Sequence, residues 1–499
     1  MNFSIPIEPE KKEQKSVVWK NLRQWIVIEK FNNPFGFICL LAVGVFIAAA
    51  IALKGIVIGV LVIALLSGPL ALYYITTNTE WSLISYMTFA FTIMLLLRLG
   101  VSFPLGTLMD GMLLIFYLNF FIQNKIKNEW ERVQSPISKW ILIWIIYNLL
   151  EVGNPSATSR LAWVYTVRTV AIVALSFYIY LFNIRTKAFL KKLLKIWLFY
   201  CLLAAWYCFK QEFFGFYKFE DDYLHSDPNI MLLLYLAGHW RKFSFLNDPV
   251  VYAYNMAVAS VICIALLTGP VTKKQKYILV FLIFSYSFNM IFSGTRGAFP
   301  LIPVAIMLYA IMRFSKTVLV MAIIFAIFFV GLIFVPTSNQ NILRFQTAFR
   351  PNKDASYIAR KINQARIKPF IWSHPMGGGL GSTGDWGKKF SPGSYLSGFP
   401  PDSGYVRVTV ESGPIGLAIF CIMMFTILKT GINNYYTIRD PELKSYCLAA
   451  TMGILVLNVG NFPQEALVQY PSNTNFYLLI AVLCVSKRID QEQNNEKHA

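Results

Sequence analysis

Long apolar runs separated by short polar ones dominate this chain, and their lengths set the first expectation. A run crosses a hydrocarbon core with roughly 17–25 residues, or fewer where neighbours cover its ends. That rule predicts fourteen spans, near 34–53, 55–76, 82–98, 107–123, 139–151, 164–183, 196–211, 250–269, 277–293, 298–312, 317–335, 404–428, 445–461 and 472–486. Two connections, 212–249 and 336–403, are long, the second too long to be a mere linker. The expected fold class is all-α: a polytopic membrane protein with about 14 transmembrane helices and two long outer (periplasmic) loops. A cytoplasmic N-terminal segment, 1–33, precedes the transmembrane domain, 34–486, and a cytoplasmic tail, 487–499, follows it.

Composition agrees. The chain is 56% hydrophobic and 14% charged over 499 residues, where soluble domains carry roughly 25% charged residues. Mean hydropathy is +0.53. The net charge of +20 invites a nucleic-acid partner until the positions of the charges are read. With the N-terminus in the cytoplasm, the cytoplasmic segments hold 25 Lys or Arg and the short outer loops hold six. Basic residues stay on the cytoplasmic side during insertion, so the asymmetry sets the topology and removes the need for a nucleic acid. The first 33 residues are polar and basic, which predicts no cleavable signal peptide. The cysteines fall in or near apolar runs, and no histidine pair has ligand spacing. Neither a disulfide framework nor a metal site is expected, and no cofactor is called for.

Candidate chemistry collects in the outer segments. The stretch from His374 to Leu417 is rich in Gly and Pro and leads into an apolar run. Its GLGSTG at 379–384 matches the spacing of a dinucleotide fingerprint but lacks the flanking strand and helix, so Gly379 and Gly381 are read as turn formers that let a ligand approach the backbone. Residues 356–368 place Ile358, Ile362 and Ala365 at helical spacing, as a short amphipathic helix on the outer surface would. His374 precedes a proline, which biases it to an extended conformation at that helix's end, with a structural role favoured over a catalytic one.

Arg296 sits in FSGTRGAF, a turn between apolar spans where its planar fork suits phosphate oxygens, although snorkelling to headgroups would also explain it. Arg241 and Lys242 make a second outward basic point. Glu411 lies inside an apolar run, four residues after Arg407, at good spacing for a helical ion pair. Asp402 is either an N-cap for the following helix, a role Ser403 shares, or a general base.

Taken together, these fragments resemble the O-antigen ligase and Wzy polymerase superfamily of bacterial envelope glycosyltransferases, over about 240–420. Asp402-Ser403, nine residues, Gly413, Pro414-Ile415 and Gly416 fit the ligases' motif spacing, with aspartate in place of the motif's histidine. HPMGGGLG at 374–381, SGTRG at 293–297 and RKFSFLNDP at 241–249 are similar to the family's other outer-loop motifs. The resemblance implies a metal-independent enzyme at the outer face of the bacterial cytoplasmic membrane, transferring or polymerising a glycan carried on undecaprenyl pyrophosphate. Its partners would be that donor, a glycan or lipid acceptor and the bilayer. Arg241, Arg296 and Lys242 would grip the pyrophosphate, while Asp402, with His374 next in line, would act as base. Ser403, Gly379, Gly381 and Glu411 would shape the acceptor side. A polymerase-like transferase of O-antigen or exopolysaccharide ranks first. An O-antigen ligase onto lipid A-core or a protein O-glycan ligase ranks second, and a lipid-linked oligosaccharide flippase is the reading from another class.

Overall fold

The computed structural model describes residues 34–54, 78–101, 103–236, 238–314, scattered positions between 316 and 346, and 355–498. The chain forms two compact units, 1–78 and 79–499. The described part of the first is one apolar helix, α1 (Pro34–Lys54). The expected span at 55–76 and much of that at 317–335 lie outside the described residues.

The second unit is an assembly of helices. In order come α2 (Thr79–Arg98), α3 (Leu105–Lys127), α4 (Pro136–Leu150), α5 (Arg160–Val167), α6 (Ser176–Asn183) and α7 (Lys187–Phe213). Two short helices, α8 (Lys218–Leu224) and α9 (Pro228–Leu234), follow, then a two-residue-a-side antiparallel hairpin, Tyr235–Leu236 with His239–Trp240. Next are α10 (Pro249–Leu266), α11 (Lys273–Ile291), α12 (Leu301–Arg313), α13 (Ala355–Ser373) and α14 (Gly384–Phe390). Last are α15 (Gly404–Thr437), α16 (Pro441–Gly460) and α17 (Ser472–His498). Seven helical segments among the described residues are long and apolar enough to cross a membrane: Thr79–Arg98, Leu105–Gln123, Arg160–Asn183, Pro249–Leu266, Arg296–Arg313, Gly404–Thr437 and Pro441–Gly460. The chain is an all-α, multi-pass membrane protein.

The centre is α10 packed on α11 and α16, with α16 on α17. Both α10 and α16 begin with Asp then Pro. The Asp248 carboxylate accepts from the N–H of Val250 and Val251, and Asp440 does the same for Glu442 and Leu443. Each cap satisfies backbone donors that the helix cannot, and proline fills a position whose donor is not needed. Small side chains then let the helices close: Gly453 lies where an added Cβ would sit 3.0 Å from Leu479.

The segment Arg160–Asn183 is continuous but irregular, with a π-helical turn at Arg168–Ile172 and a 3-10 turn at Val173–Leu175. Arg168, at that break, donates from Nε to the Asp110 carboxylate on α3 at 2.5 Å. Such a pair inside an apolar stretch lets each charge cover the cost of the other.

The described residues of the two expected outer loops are folded. In 212–249, Leu224, Leu234 and Phe243 form a small core with Phe216, Tyr223, Ile230 and Trp240 around them. The acidic run there is partly internal: Glu220 is buried, accepting from Gln211 at 2.5 Å and from the Tyr217 N–H at 2.8 Å. In 336–403, the helix expected at 356–368 is present and longer, Ala355–Ser373, and it tolerates Pro369 inside its last turns. Ile367, Leu396, Phe399 and Val410 tie this segment to the start of α15. Trp386 and Phe390 of α14 stack on Tyr165 of α5.

Candidate functional site

α15 is broken at Gly413, where φ is 69° and ψ 179°, just before Pro414. Proline cannot donate to the preceding turn, so carbonyls on that turn are freed. Three of them find new donors. Val410 and Glu411 accept from the N–H groups of Gly378 and Gly379, both at 2.9 Å, and Ser412 accepts from the Tyr147 hydroxyl at 2.6 Å. The Gly-rich turn therefore docks on the broken helix by backbone contacts. A Cβ at Gly413 would fall on the Pro375 carbonyl. At Gly379, φ is 89° and a Cβ would sit 2.5 Å from that of Ala157; at Gly381, φ is 75° and a Cβ would meet Thr166. Gly379 and Gly381 thus let the protein's own chain come close, where the sequence suggested a ligand.

Behind this turn lies a buried polar network. The Glu411 carboxylate accepts from the Thr383 hydroxyl at 2.5 Å and faces the Arg407 Nε at 3.3 Å. Arg407 in turn donates from Nη1 to Glu465 at 2.6 Å. The helical pair expected between Arg407 and Glu411 is formed, with a second carboxylate on the far side. Burial pushes the Glu465 carboxyl above its usual range, and Arg407 opposes that rise. On α4's C-terminal side, Glu151 is buried and accepts from Asn154 at 2.7 Å, while the same amide reaches the Met376 carbonyl at 2.8 Å. Sequence inspection passed over Glu151, Asn154 and Glu465. The available signal was Glu151 at the end of an apolar run, where a carboxylate is costly.

Asp402 does not cap α15. Ser403 occupies the N-cap position without a side-chain capping bond, and its hydroxyl points to the Asn461 carbonyl at 3.5 Å. The Asp402 side chain is 40% exposed and faces Arg360 of α13 at 3.8 Å. The cleft before it is lined by Arg360, Asn363, Gln364, Phe399, Ser403 and Val406. Partial burial raises the Asp402 carboxyl above its ordinary value, and Arg360 pulls it back. His374 stacks on Phe370 at 4.0 Å, with Nδ1 3.0 Å from the Phe370 carbonyl and 2.8 Å from the Ser373 hydroxyl. Those contacts fix the ring at the end of α13.

The basic point divides. Arg241 reaches the turn that carries Arg296: Nε donates to the Ser293 carbonyl and Nη2 to the Thr295 hydroxyl, both at 3.0 Å. Thr295 is anchored in turn by donating to the Pro249 carbonyl at 3.0 Å. Arg241 is thereby fastened beside Arg296, which opens the short 3-10 turn Arg296–Ala298. Lys242 points the other way. It is buried, 3.5 Å from Glu212 and over the Phe216 ring, and burial lowers its pKa while Glu212 raises it.

Residues 278–421, from α11 through the broken turn of α15, match the family described as O-antigen ligase. The chain carries an O-antigen ligase domain. Arg296, His374, Asp402 and Glu411 lie inside the matched stretch; Arg241 and Lys242 precede it. No curated protein matches the chain. The match over 278–421 supports the resemblance to the O-antigen ligase and Wzy polymerase superfamily, whose members transfer glycosyl groups.

Proposed function

We propose that the protein transfers or polymerises a glycan from undecaprenyl pyrophosphate to an acceptor hydroxyl, at the outer face of the bacterial cytoplasmic membrane. The acceptor oxygen attacks the anomeric carbon, the bond from that carbon to the pyrophosphate oxygen breaks, and undecaprenyl pyrophosphate departs with the bonding electrons. The hydroxyl proton goes to Asp402, directly or through one water. Arg241 and Arg296 hold the pyrophosphate, whose paired oxygens match a guanidinium fork. Lys242 contributes less, because Glu212 already engages its ammonium.

The observation that carries this reading is the attachment of Arg241 to the 293–295 turn. It brings two arginines from separate segments to one place, within and beside the ligase-family stretch. The test is glycan transfer from a lipid-linked donor by the purified chain in vesicles. Loss of transfer in Arg296→Lys, which keeps charge and removes the fork, supports the reading; near-normal transfer in both Arg296→Lys and Arg296→Ala refutes it. The orientation is checked by cysteine labelling. A probe at Asp385→Cys reacts from outside and one at Gln275→Cys does not.

A polymerase-like role ranks above ligation to lipid A-core because aspartate stands at 402, replacing an imidazole near the acceptor with a carboxylate. Deleting the gene should leave single repeat units on the envelope lipid. Full-length chains accumulating unattached on undecaprenyl pyrophosphate would reverse that ranking.

A further inference from the structure

At the lysine-rich end of the second unit, α7 and α11 leave between them a groove of about 400 Å³. Its floor is the end of α10 and the first turns of α16, through Leu266, Ser445 and Tyr446. Its walls are apolar, built from Leu198, Phe199 and Leu202 on one side and Ile278 and Leu282 on the other. Phe199 and Ile278 are 55% and 48% exposed, so the groove opens sideways, towards the apolar surroundings of the helices.

The rim has a different character. Lys191, Lys195 and Gln275 border the groove, with Lys273, Lys274 and Lys276 exposed on the first turn of α11. Glu442 is the carboxylate that lines it, and it is already engaged: Lys191 lies 2.8 Å from Oε1, Lys187 2.9 Å from Oε2, and the Tyr446 hydroxyl donates at 2.7 Å. Lys195, Lys273, Lys274 and Lys276 have no carboxylate within ion-pair distance among the described residues. The groove therefore has an apolar trough and an uncompensated cationic lip.

Its length suits a single leaflet. From Lys191 to Leu202 the α7 wall extends about 16 Å at 1.5 Å per residue, close to half of a roughly 30 Å hydrocarbon core. We propose that this groove binds an acidic phospholipid, with acyl chains along Leu198, Leu202 and Leu282 and the phosphate at Lys195 and the first turn of α11. Charge complementarity selects the headgroup, and the apolar trough fixes the chains. The site is separate from the Arg241–Arg296 turn, and its test does not depend on transfer activity.

The experiment is native mass spectrometry of the full chain after equilibration with equal amounts of dioleoylphosphatidylglycerol and dioleoylphosphatidylcholine. Monodisperse elution confirms that each variant is folded. The acidic lipid should be retained preferentially. Lys195→Glu with Lys274→Glu should reduce that preference by about five-fold or more, from the usual attraction of one or two basic residues for an acidic surface. Leu202→Trp, which fills the trough but leaves the lysines, should reduce retention of both lipids. Lys139→Glu, an exposed lysine on α4 away from the groove, should change nothing. Equal retention of the two lipids, or an equal loss in Lys139→Glu, would overturn the proposal. So would a dimer that Leu202→Trp dissociates, since the occupant would then be a second copy of the chain.

Discussion

Arg241 and Arg407 are both held by several contacts near the ligase-family stretch, yet the oxygens that hold them differ in kind. Arg407 lies between two carboxylates, Glu411 and Glu465, at 3.3 and 2.6 Å. Arg241 gives three of its N–H groups to neutral oxygens, the Ser293 and Leu233 carbonyls and the Thr295 hydroxyl. Carboxylates cancel a guanidinium's charge as well as fixing it, whereas carbonyl and hydroxyl dipoles fix it and leave the charge in place. The Arg407 cluster thus behaves as a scaffold behind the broken helix, while Arg241 ties the segment at Leu233 to the turn before Arg296.

Substitutions that separate activity from stability break or sharpen that contrast. The largest effect is expected for Arg296→Lys, which should lower transfer by about two orders of magnitude while the melting temperature stays put, as loss of a preorganised anion-stabilising group does. Arg241→Ala should act in the same direction; a matching fall in melting temperature would make the turn a scaffold too.

Arg407→Ala should show the reverse pattern. Removing it leaves Glu411 and Glu465 buried without a cation, a loss of about 3–5 kcal/mol of the kind seen when one partner of a buried pair is deleted. Thermal unfolding in detergent measures it, and a stable Arg407→Ala protein would remove the scaffold role. Gly413→Ala should come next, at about 1–3 kcal/mol for forcing a side chain into positive φ, with added cost from the Pro375 carbonyl.

Smaller shifts belong to Asp402. As a base it works only when ionised, so transfer falls as pH drops through its pKa, which burial raises and Arg360 lowers. Arg360→Gln removes the lowering influence, so the acid limb of the pH–rate profile should move to higher pH. An unmoved limb would mean that Asp402 is not the titrating base. His374→Gln should alter transfer least, since its Nδ1 is occupied by the Phe370 carbonyl and the Ser373 hydroxyl.

Membrane character and the positions of the long described helices were legible in the order of residues, because transfer of apolar side chains and helical periodicity are local properties. Of the fourteen expected spans, seven have a counterpart among the described residues that is long and apolar enough to cross a membrane. Helices such as Gly404–Thr437 and Ser472–His498 run well past their expected ends. The Arg407–Glu411 pair followed from i,i+4 spacing, and the helix at 355–373 from its apolar period, although its last turns run through Pro369. Aspartate followed by proline likewise marks the starts of α10 and α16. What no local rule could supply were contacts between distant segments. The GLGSTG turn looked like a place for a ligand, and only the fold shows the kink at Gly413 and helix α5 filling that space. Lys242 and Arg241 are neighbours with similar charge, and packing alone sends one to Glu212 and the other to the turn before Arg296. Asp402 faces Arg360 because α13 packs on the start of α15, held by Ile367, Phe399 and Val410. Charge and hydropathy are written residue by residue, but which oxygen a cation meets depends on how helices far apart in the chain come to rest against each other.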